Sequence, residues 1–466
     1  MLHIRMTRAF AYAAVLAVLG AACGSNDDSS SETTVAVTTA TTAVSATTAV
    51  ADTTAATAVP DTAGADTTEA VDTTDAVDTT EGADTTAPAT AGNFYIPKET
   101  GAADSSLEPV KIGFVNQSEG TPSFAGPLAA AKVAVEYVNS KLGGIGGHPL
   151  ELVDCNTGLD PDSNQKCAQQ MVNDDSIKVI TTQFVLGSDA FWPVLEQAGL
   201  VGLEGTPLNP TDLTSPAAIA FSPGPALVVG LADYAVKILG AKSLTIVAEA
   251  NSGGQAVIDN VKAVPQLAGI DVKSVLAGGA DTDLAGALQA NPSDAYVLVT
   301  AAGSCVQVAK ALEQIGSDKP VLAVSSCSDG SVISEVGKQV SGWYVGAPSA
   351  LPGLIQADPE LKLFIDTMEA SGNSDDIGLT ASSQTFGQII TLWELGNQIG
   401  FDDLSRDTWK QALLGFKGPA FLGPRSLSCL LPGLPSLCTT EMRIMQITDE
   451  GLDDVVPGPY DAYKTS

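Results

Sequence analysis

Histidine is nearly absent from this chain: two occur among 466 residues, His3 and His148. His3 sits in an N-terminal apolar segment and His148 follows a glycine-rich turn, so a Ser-His hydrolase has no well-placed base. The same scarcity, with no paired CxxC spacing, argues against a zinc site, and no metal or cofactor is expected. Basic residues are also few. Lys and Arg number 22 against 54 Asp and Glu, a formal charge of −32. That balance argues against nucleic acid as a partner and against an electrostatic grip on anionic lipid. There is no P-loop or dinucleotide fingerprint, because the glycine run at 143–147 leads into a strand rather than a helix. No pair of carboxylates stands out for glycoside hydrolysis. Beyond residue 22, no stretch is long and apolar enough to span a membrane as a helix.

The N-terminus carries what the rest lacks. Arg5 and Arg8 precede an apolar run over 9–19, and Leu19-Gly20-Ala21-Ala22 then leads to Cys23. A short apolar run between basic and small residues reads as a cleaved export signal, here 1–22. The cysteine directly after the small residues resembles the lipobox of bacterial lipoproteins, whose thiol is diacylated and becomes the mature N-terminus. The usual leucine three residues before the cysteine is Gly20 here, with Leu19 one step further back. A single acyl chain holds weakly, at about 0.8 kcal/mol per buried methylene, so a multi-chain lipid is expected on Cys23. The bland alternative is an ordinary secretory signal that contains a cysteine.

Residues 23–107 form a Thr/Ala/Asp-rich linker. Positions 24–107 hold fourteen Asp and Glu against one base, Lys98. With few large apolar side chains, such a segment cannot offset its chain entropy and is expected to be disordered. Cys23 aside, six cysteines remain: Cys155, Cys167, Cys305, Cys327, Cys429 and Cys438. Six thiols allow fifteen pairings. They fall as three close pairs, so sequential pairing is the simplest choice, and structural disulfides fit an oxidising compartment.

From residue 110 onward the pattern alternates β and α. Apolar strands are expected over 110–115, 150–154, 178–182, 200–203, 243–248, 272–275, 295–299, 321–324, 342–346 and 442–448. Amphipathic helices are expected between them, at 127–142, 163–174, 189–198, 227–239, 255–267 and 306–314, and then at 359–369, 382–399 and 408–414. Short apolar strands separated by helices indicate an α/β fold with parallel sheets, and the length suits two lobes.

The order of elements resembles the type I periplasmic binding proteins, in the branch that includes leucine/isoleucine/valine-binding receptors of ABC importers. The resemblance covers nearly everything from Val110. It rests on Val110-Lys111-Ile112-Gly113-Phe114, on Ala134-Val135-Glu136-Tyr137-Val138-Asn139 with Gly143-Gly144-Ile145-Gly146-Gly147 after it, on Asp154 through Asp160-Pro161, and on Gly187-Ser188. It implies two Rossmann-like lobes joined by a multi-strand hinge. Lobe I is expected at 108–223 and 352–424, and lobe II at 224–351 and 425–466.

Carried over by position, Gly187 and Ser188 fall where the family holds a ligand carboxylate, and Gly205 and Thr206 where it binds the ligand's polar head. Ser123 or Phe124 falls where an aromatic often packs on the ligand. Ser252, before Gly253, replaces an aromatic, and Ala301 and Ala302 replace bulkier residues. Asp329 falls near the acid that meets the ligand ammonium. Each has a plainer reading: Ser188 as a helix cap, Thr206 before Pro207 and Asp329 before Gly330 as turn residues, Phe124 as packing. The resemblance implies a non-enzymatic lipoprotein, monomeric, on the outer face of the cytoplasmic membrane. It would capture an amino acid or amide-like solute for the permease subunits of an ABC importer. A ligand-sensing receptor of the same fold, or a secreted hydrolase, is the competing expectation.

Overall fold

A computed structural model describes residues 94–464 apart from 121, 279–282 and 457, and leaves the Ser252 side chain undescribed. The expected signal peptide, Cys23 and the linker up to residue 93 lie outside the described residues.

Apolar segments build the first sheet: β1 (Val110–Asn116), β2 (Leu150–Asn156), β3 (Ile180–Thr182), β4 (Gly202–Glu204) and β5 (Ala218–Ala220), in the order β2-β1-β3-β4-β5. All pairings are parallel, with Val110 opposite Leu150 and Gly113 opposite Ile180. Parallel strands covered on both faces need apolar residues on both. In β1, Ile112 and Phe114 face one core and Val115 the other. The crossover helices are α1 (Gly126–Lys141), α2 (Pro161–Asn173), α3 (Trp192–Gln197) and the short α4 (Pro210–Thr214). Local chemistry sets their ends. Asp160 accepts the Ser163 N–H and Pro161 opens α2, a strong N-terminus. After α1, Gly143, Gly144, Gly146 and Gly147 all have positive φ, between 59° and 91°. That run explains the glycine-rich turn that the sequence shows between α1 and β2.

The helix expected over 189–198 is shorter. Its first turn is a 3-10 segment, Ser188–Ala190, and α3 starts only at Trp192. Pro193 lacks an N–H and fits only a first turn, so the helix starts there.

Lobe II repeats the plan with α5 (Ala226–Lys237), β6 (Ser243–Glu249), α6 (Ser252–Ala263), β7 (Asp271–Ala277), α7 (Leu284–Ala290), β8 (Ala295–Val299), α8 (Ala302–Gln314), β9 (Val321–Val324), α9 (Gly330–Val336) and β10 (Tyr344–Ala347). The chain then returns to lobe I for α10 (Pro359–Ala370), α11 (Ser382–Ile399) and α12 (Arg406–Gly415), and ends in lobe II with β11 (Arg443–Ile447) and β12 (Leu452–Asp454). The second sheet runs β12-β11-β10-β9-β8-β6-β7, parallel from β10 to β7, with β11 and β12 antiparallel at one edge. The expected fold class, two α/β lobes on parallel sheets, is the one observed. The chain passes between the lobes after β5, after β10 and after α12.

Two segments lie elsewhere than composition places them. Residues 94–107, assigned to the linker, are bonded to lobe I: the Thr100 and Gly101 N–H groups donate to Lys141 O, and the Tyr95 N–H donates to Glu360. Residues 427–438, assigned to lobe II, pack on lobe I. Leu427 and Cys438 belong to its core, and Leu437 bridges to Ala220 beside β5. The disulfides are the sequential ones, Cys155–Cys167, Cys305–Cys327 and Cys429–Cys438.

Candidate functional site: the interlobe cleft

The carboxyl ends of parallel strands present loops and helix N-termini, which is where such sheets bind ligands. One short stretch of chain shows that these ends of the two sheets meet. Gln384, in the first turn of α11, donates from Nε2 to Gly205 O at the end of β4, 2.7 Å away. Thr380, four residues earlier, donates from Oγ1 to Asp329 Oδ2 after β9, at 2.6 Å. The approach to α11 therefore touches the carboxyl ends of both sheets, and the space beside it is the interlobe cleft.

On the lobe I wall, Asn116 organises the loops after β1 and β3. Its Nδ2 donates to Ser118 Oγ (2.9 Å) and Phe124 O (2.7 Å), and its Oδ1 accepts the Phe184 N–H (3.0 Å). Ser123 is exposed, with its hydroxyl donating to Ser118 O at 2.8 Å. Phe124 stacks on Phe184 with ring centroids 3.9 Å apart, so one of its faces already has a partner. Gly187 is half-buried and lies against the Asn164 side chain. Ser188 is fully buried and its hydroxyl accepts from Asn209 Nδ2 at 2.8 Å. The protein itself thus engages the Ser188 hydroxyl, though not as a helix cap: Gly187 holds the cap position and no side-chain cap bond forms. Gly205 packs on the Gln183 side chain, and Thr206 Oγ1 donates to Gln183 Oε1 at 3.0 Å.

On the lobe II wall, Ser252 opens α6, behind the cap formed by Asn251. Ala301 is exposed at the start of α8, and its N–H donates to Glu249 Oε1 at 2.6 Å. Ala302 is the first residue of α8. Asp329 is 9% exposed, and burial pushes its carboxyl up to about 6, against the Thr380 hydrogen bonds that pull it down. The residues singled out from the sequence thus divide between the two lobes, and the hydrogen bonds of Ser123, Ser188, Thr206, Ala301 and Asp329 run to neighbours rather than to one another.

Three participants were not singled out. Gln183 follows β3, fully buried, with an Nε2 that has no partner. Glu249 ends β6, and an acid closing an apolar run was its visible signal. Thr380 gave none, since its partner is 51 positions away. Beside β4, a void of about 20 Å³ is lined by Glu204, Gln388 and Thr391, each with an unpartnered oxygen. That is room for about one water. Burial and the neighbouring Asp212 raise the Glu204 carboxyl well above the ordinary range. A further cavity of about 250 Å³ lies at the second and third crossings, between Asp358, Arg425 and Arg443, and none of the expected site residues lines it. Among the described residues, no cluster of His, Cys, Asp and Glu could hold a metal ion. No helix among them is long and apolar enough to cross a membrane.

The sequence pattern of the periplasmic binding protein family matches residues 109–451. This chain belongs to the periplasmic binding protein family. It is a binding protein of that family rather than an enzyme. No curated protein matches it in sequence. Among solved structures, it resembles a branched-chain amino acid ABC transporter protein from Thermus thermophilus with bound valine, at 14% identity and TM-score 0.65, covering 76% of this chain and 97% of that one. It also resembles a fatty acid ABC transporter substrate-binding protein from Thermomonospora curvata, at 16% identity and TM-score 0.65, covering 78% and 94%. A third is the branched-chain amino acid transporter substrate-binding protein from Streptococcus pneumoniae in complex with isoleucine, at 14% identity and TM-score 0.60, covering 74% and 98%. At such identities the likeness speaks for the fold. The solutes named for these proteins, branched-chain amino acids and fatty acid, differ widely in chemistry.

Proposed function

We propose that this periplasmic binding protein captures a small polar solute, an amino acid or amide-like molecule, between its lobes and delivers it to the permease of an ABC importer. The supporting observation is the meeting of two parallel sheets at their carboxyl ends beside α11, within a chain whose family binds solutes. Ser123, Gly187, Gly205 and Thr206 on one wall, and Ser252, Ala301 and Asp329 on the other, are the candidate contacts. Phe124 and Ser188 serve mainly to hold the lobe I wall. Closure would follow the hinge motion of two domains around a bound solute. A lipid on Cys23 would keep the receptor near its permease.

A specific solute stabilises the folded form by mass action, about 2.7 kcal/mol at a hundredfold excess over Kd. A thermal-shift screen of amino acids, amides, ureas, amines and short carboxylates is therefore the direct test. A rise of several degrees with one class supports capture. No shift with any of them, together with turnover of a chromogenic ester or glycoside, would sink it. Mass spectrometry of the mature N-terminus tests the anchor, as does membrane retention of Cys23→Ser: an unmodified Cys23 refutes it.

A further inference from the structure

Charge is sorted along the strands of this molecule. In both sheets the strands that carry the lobes run parallel, so all their starts lie at one end and all their finishes at the cleft. Lysines gather at the starts. Lys111, Lys178, Lys242, Lys273 and Lys319 each lie within two residues of the first residue of β1, β3, β6, β7 or β9. The starts are mixed, since Glu108, Glu151, Asp271 and Asp294 lie there too, but at the finishes the bases are missing. The loops leaving β1, β2, β3, β4, β6, β8 and β9, and the 371–384 approach to α11, contain no Lys, Arg or His. They contain Glu119, Asp160, Asp189 and Asp329, and Glu249 closes β6 beside them; none of these five forms an ion pair among the described residues.

Helix N-termini at the same end offer about half a positive charge each. Part of that is already used, since Asp160 takes the Ser163 N–H in α2 and Glu249 takes the Ala301 N–H at the start of α8. A cleft lined by one sign of charge repels solutes of that sign and concentrates the opposite one. Asp329 sharpens the point. Its carboxyl is nine-tenths buried, and the side chain bonded to it is a hydroxyl, that of Thr380. A buried carboxylate without a counter-charge is costly, and a cationic group is the partner that removes the cost.

We propose that the solute is an organic cation, bearing an ammonium or guanidinium group and a net positive charge, held by Asp329 and Glu249. This rests on the reading of the cleft as the solute site and names the class that site selects. β6 and β9 both flank β8, so Glu249 at the end of β6 and Asp329 in the loop after β9 belong to the same wall, and an extended cation can meet both. Replacing Thr380 on Asp329 with the solute's cationic group exchanges a hydroxyl–carboxylate bond for a charge-paired one.

The test is calorimetric titration of the full chain with agmatine, putrescine and arginine, beside leucine, valine, succinate and glutamate. At least one cation is expected to bind, with affinity falling as ionic strength rises from about 0.02 to about 0.3 M. Glu249→Gln and Asp329→Asn are each expected to weaken that binding about tenfold or more. Glu151→Gln, exposed at the start of β2 and so at the opposite end from the cleft, is expected to leave it unchanged. Binding of leucine, valine, succinate or glutamate without any cation overturns this inference and leaves the solute-binding function standing. Cation binding that is indifferent to both cleft variants also overturns it. A chain that binds none of the seven counts against both.

Discussion

At the residue scale, Asp329 can be tested apart from any ligand. Its carboxyl is shifted from 3.8 to about 6 in the fold, chiefly by burial. The folded state therefore binds the proton more tightly than the unfolded chain. The neutral acid's advantage is fully present below about 3.8 and is lost as the pH rises through about 6. At neutral pH the ionised group is a burden of up to about 3 kcal/mol, from about 1.36 kcal/mol per pKa unit. Asp329→Asn keeps an acceptor for Thr380 and removes the charge, so the empty protein is expected to gain about 1–3 kcal/mol at pH 7 and little at pH 4. Urea unfolding at both pH values measures it. Equal stability of the variant and the parent at pH 7 would show that the carboxylate is not strained. Position explains what was readable here. Asp329 was legible because it follows a buried strand in a known order of elements, while its partner Thr380 comes from the other lobe. Ser188 was legible as a position, but its burial depends on Asn209, a contact that sequence spacing does not reveal.

At the element scale, close packing decides the sign of a common substitution. Ala in a helix interior normally outperforms Gly by about 1 kcal/mol. In α11 that expectation reverses at Gly387, where an added Cβ would lie 2.2 Å from Phe421 O and 3.2 Å from Leu422 Cβ. The carbonyl is backbone and the next N–H, of Leu422, is tied to Glu360, so neither yields easily. Gly387→Ala is expected to cost about 1–3 kcal/mol. Gly415→Ala, at the open end of α12 with nothing within 4 Å, is expected to cost nothing. Equilibrium denaturation of the two separates helix propensity from packing. The longer elements were the legible ones. β1, β2, β6, β8 and α11 announce themselves by apolar runs or helical spacing. β5, three residues long, is Ala-Ile-Ala and carries too little pattern to be seen; it exists because β4 and residue 437 flank it. The antiparallel edge strand β12 was missed for the same reason.

At the scale of the whole molecule, one buried carboxylate joins parts of the chain that the sequence assigned to separate units. Glu360, in the first turn of α10, has no exposed surface. It accepts the N–H of Tyr95 from the N-terminal segment (2.5 Å), the N–H of Leu422 before the third crossing (2.7 Å), and Arg425 Nη1 (2.6 Å). Phe94 covers the Arg425 guanidinium, 5.3 Å from ring centroid to Cζ. Charge pairing thus ties the start of the 94–107 segment to lobe I, whereas 427–438 is held there by burial of Leu427 and Cys438 and by the Leu437–Ala220 bridge. Burial still raises the Glu360 carboxyl despite Arg425 and the two N–H donors. Removing Arg425 leaves the acid buried without its counter-charge, a loss of about 3–5 kcal/mol. Arg425→Met is therefore expected to destabilise the full chain strongly at pH 7. Its deficit should narrow as the pH falls toward the ordinary carboxylate range, because a protonated Glu360 needs no cation. Adding Glu360→Gln to Arg425→Met should recover part of the loss, since no charge is stranded, although the amide oxygen can accept only one of the Tyr95 and Leu422 N–H groups and its NH2 faces the other. Denaturation of the parent, the single and the double variant at pH 7 and pH 4.5 decides it. If the double variant is as unstable as the single one at both pH values, Arg425 acts through packing against Phe94 and not through charge.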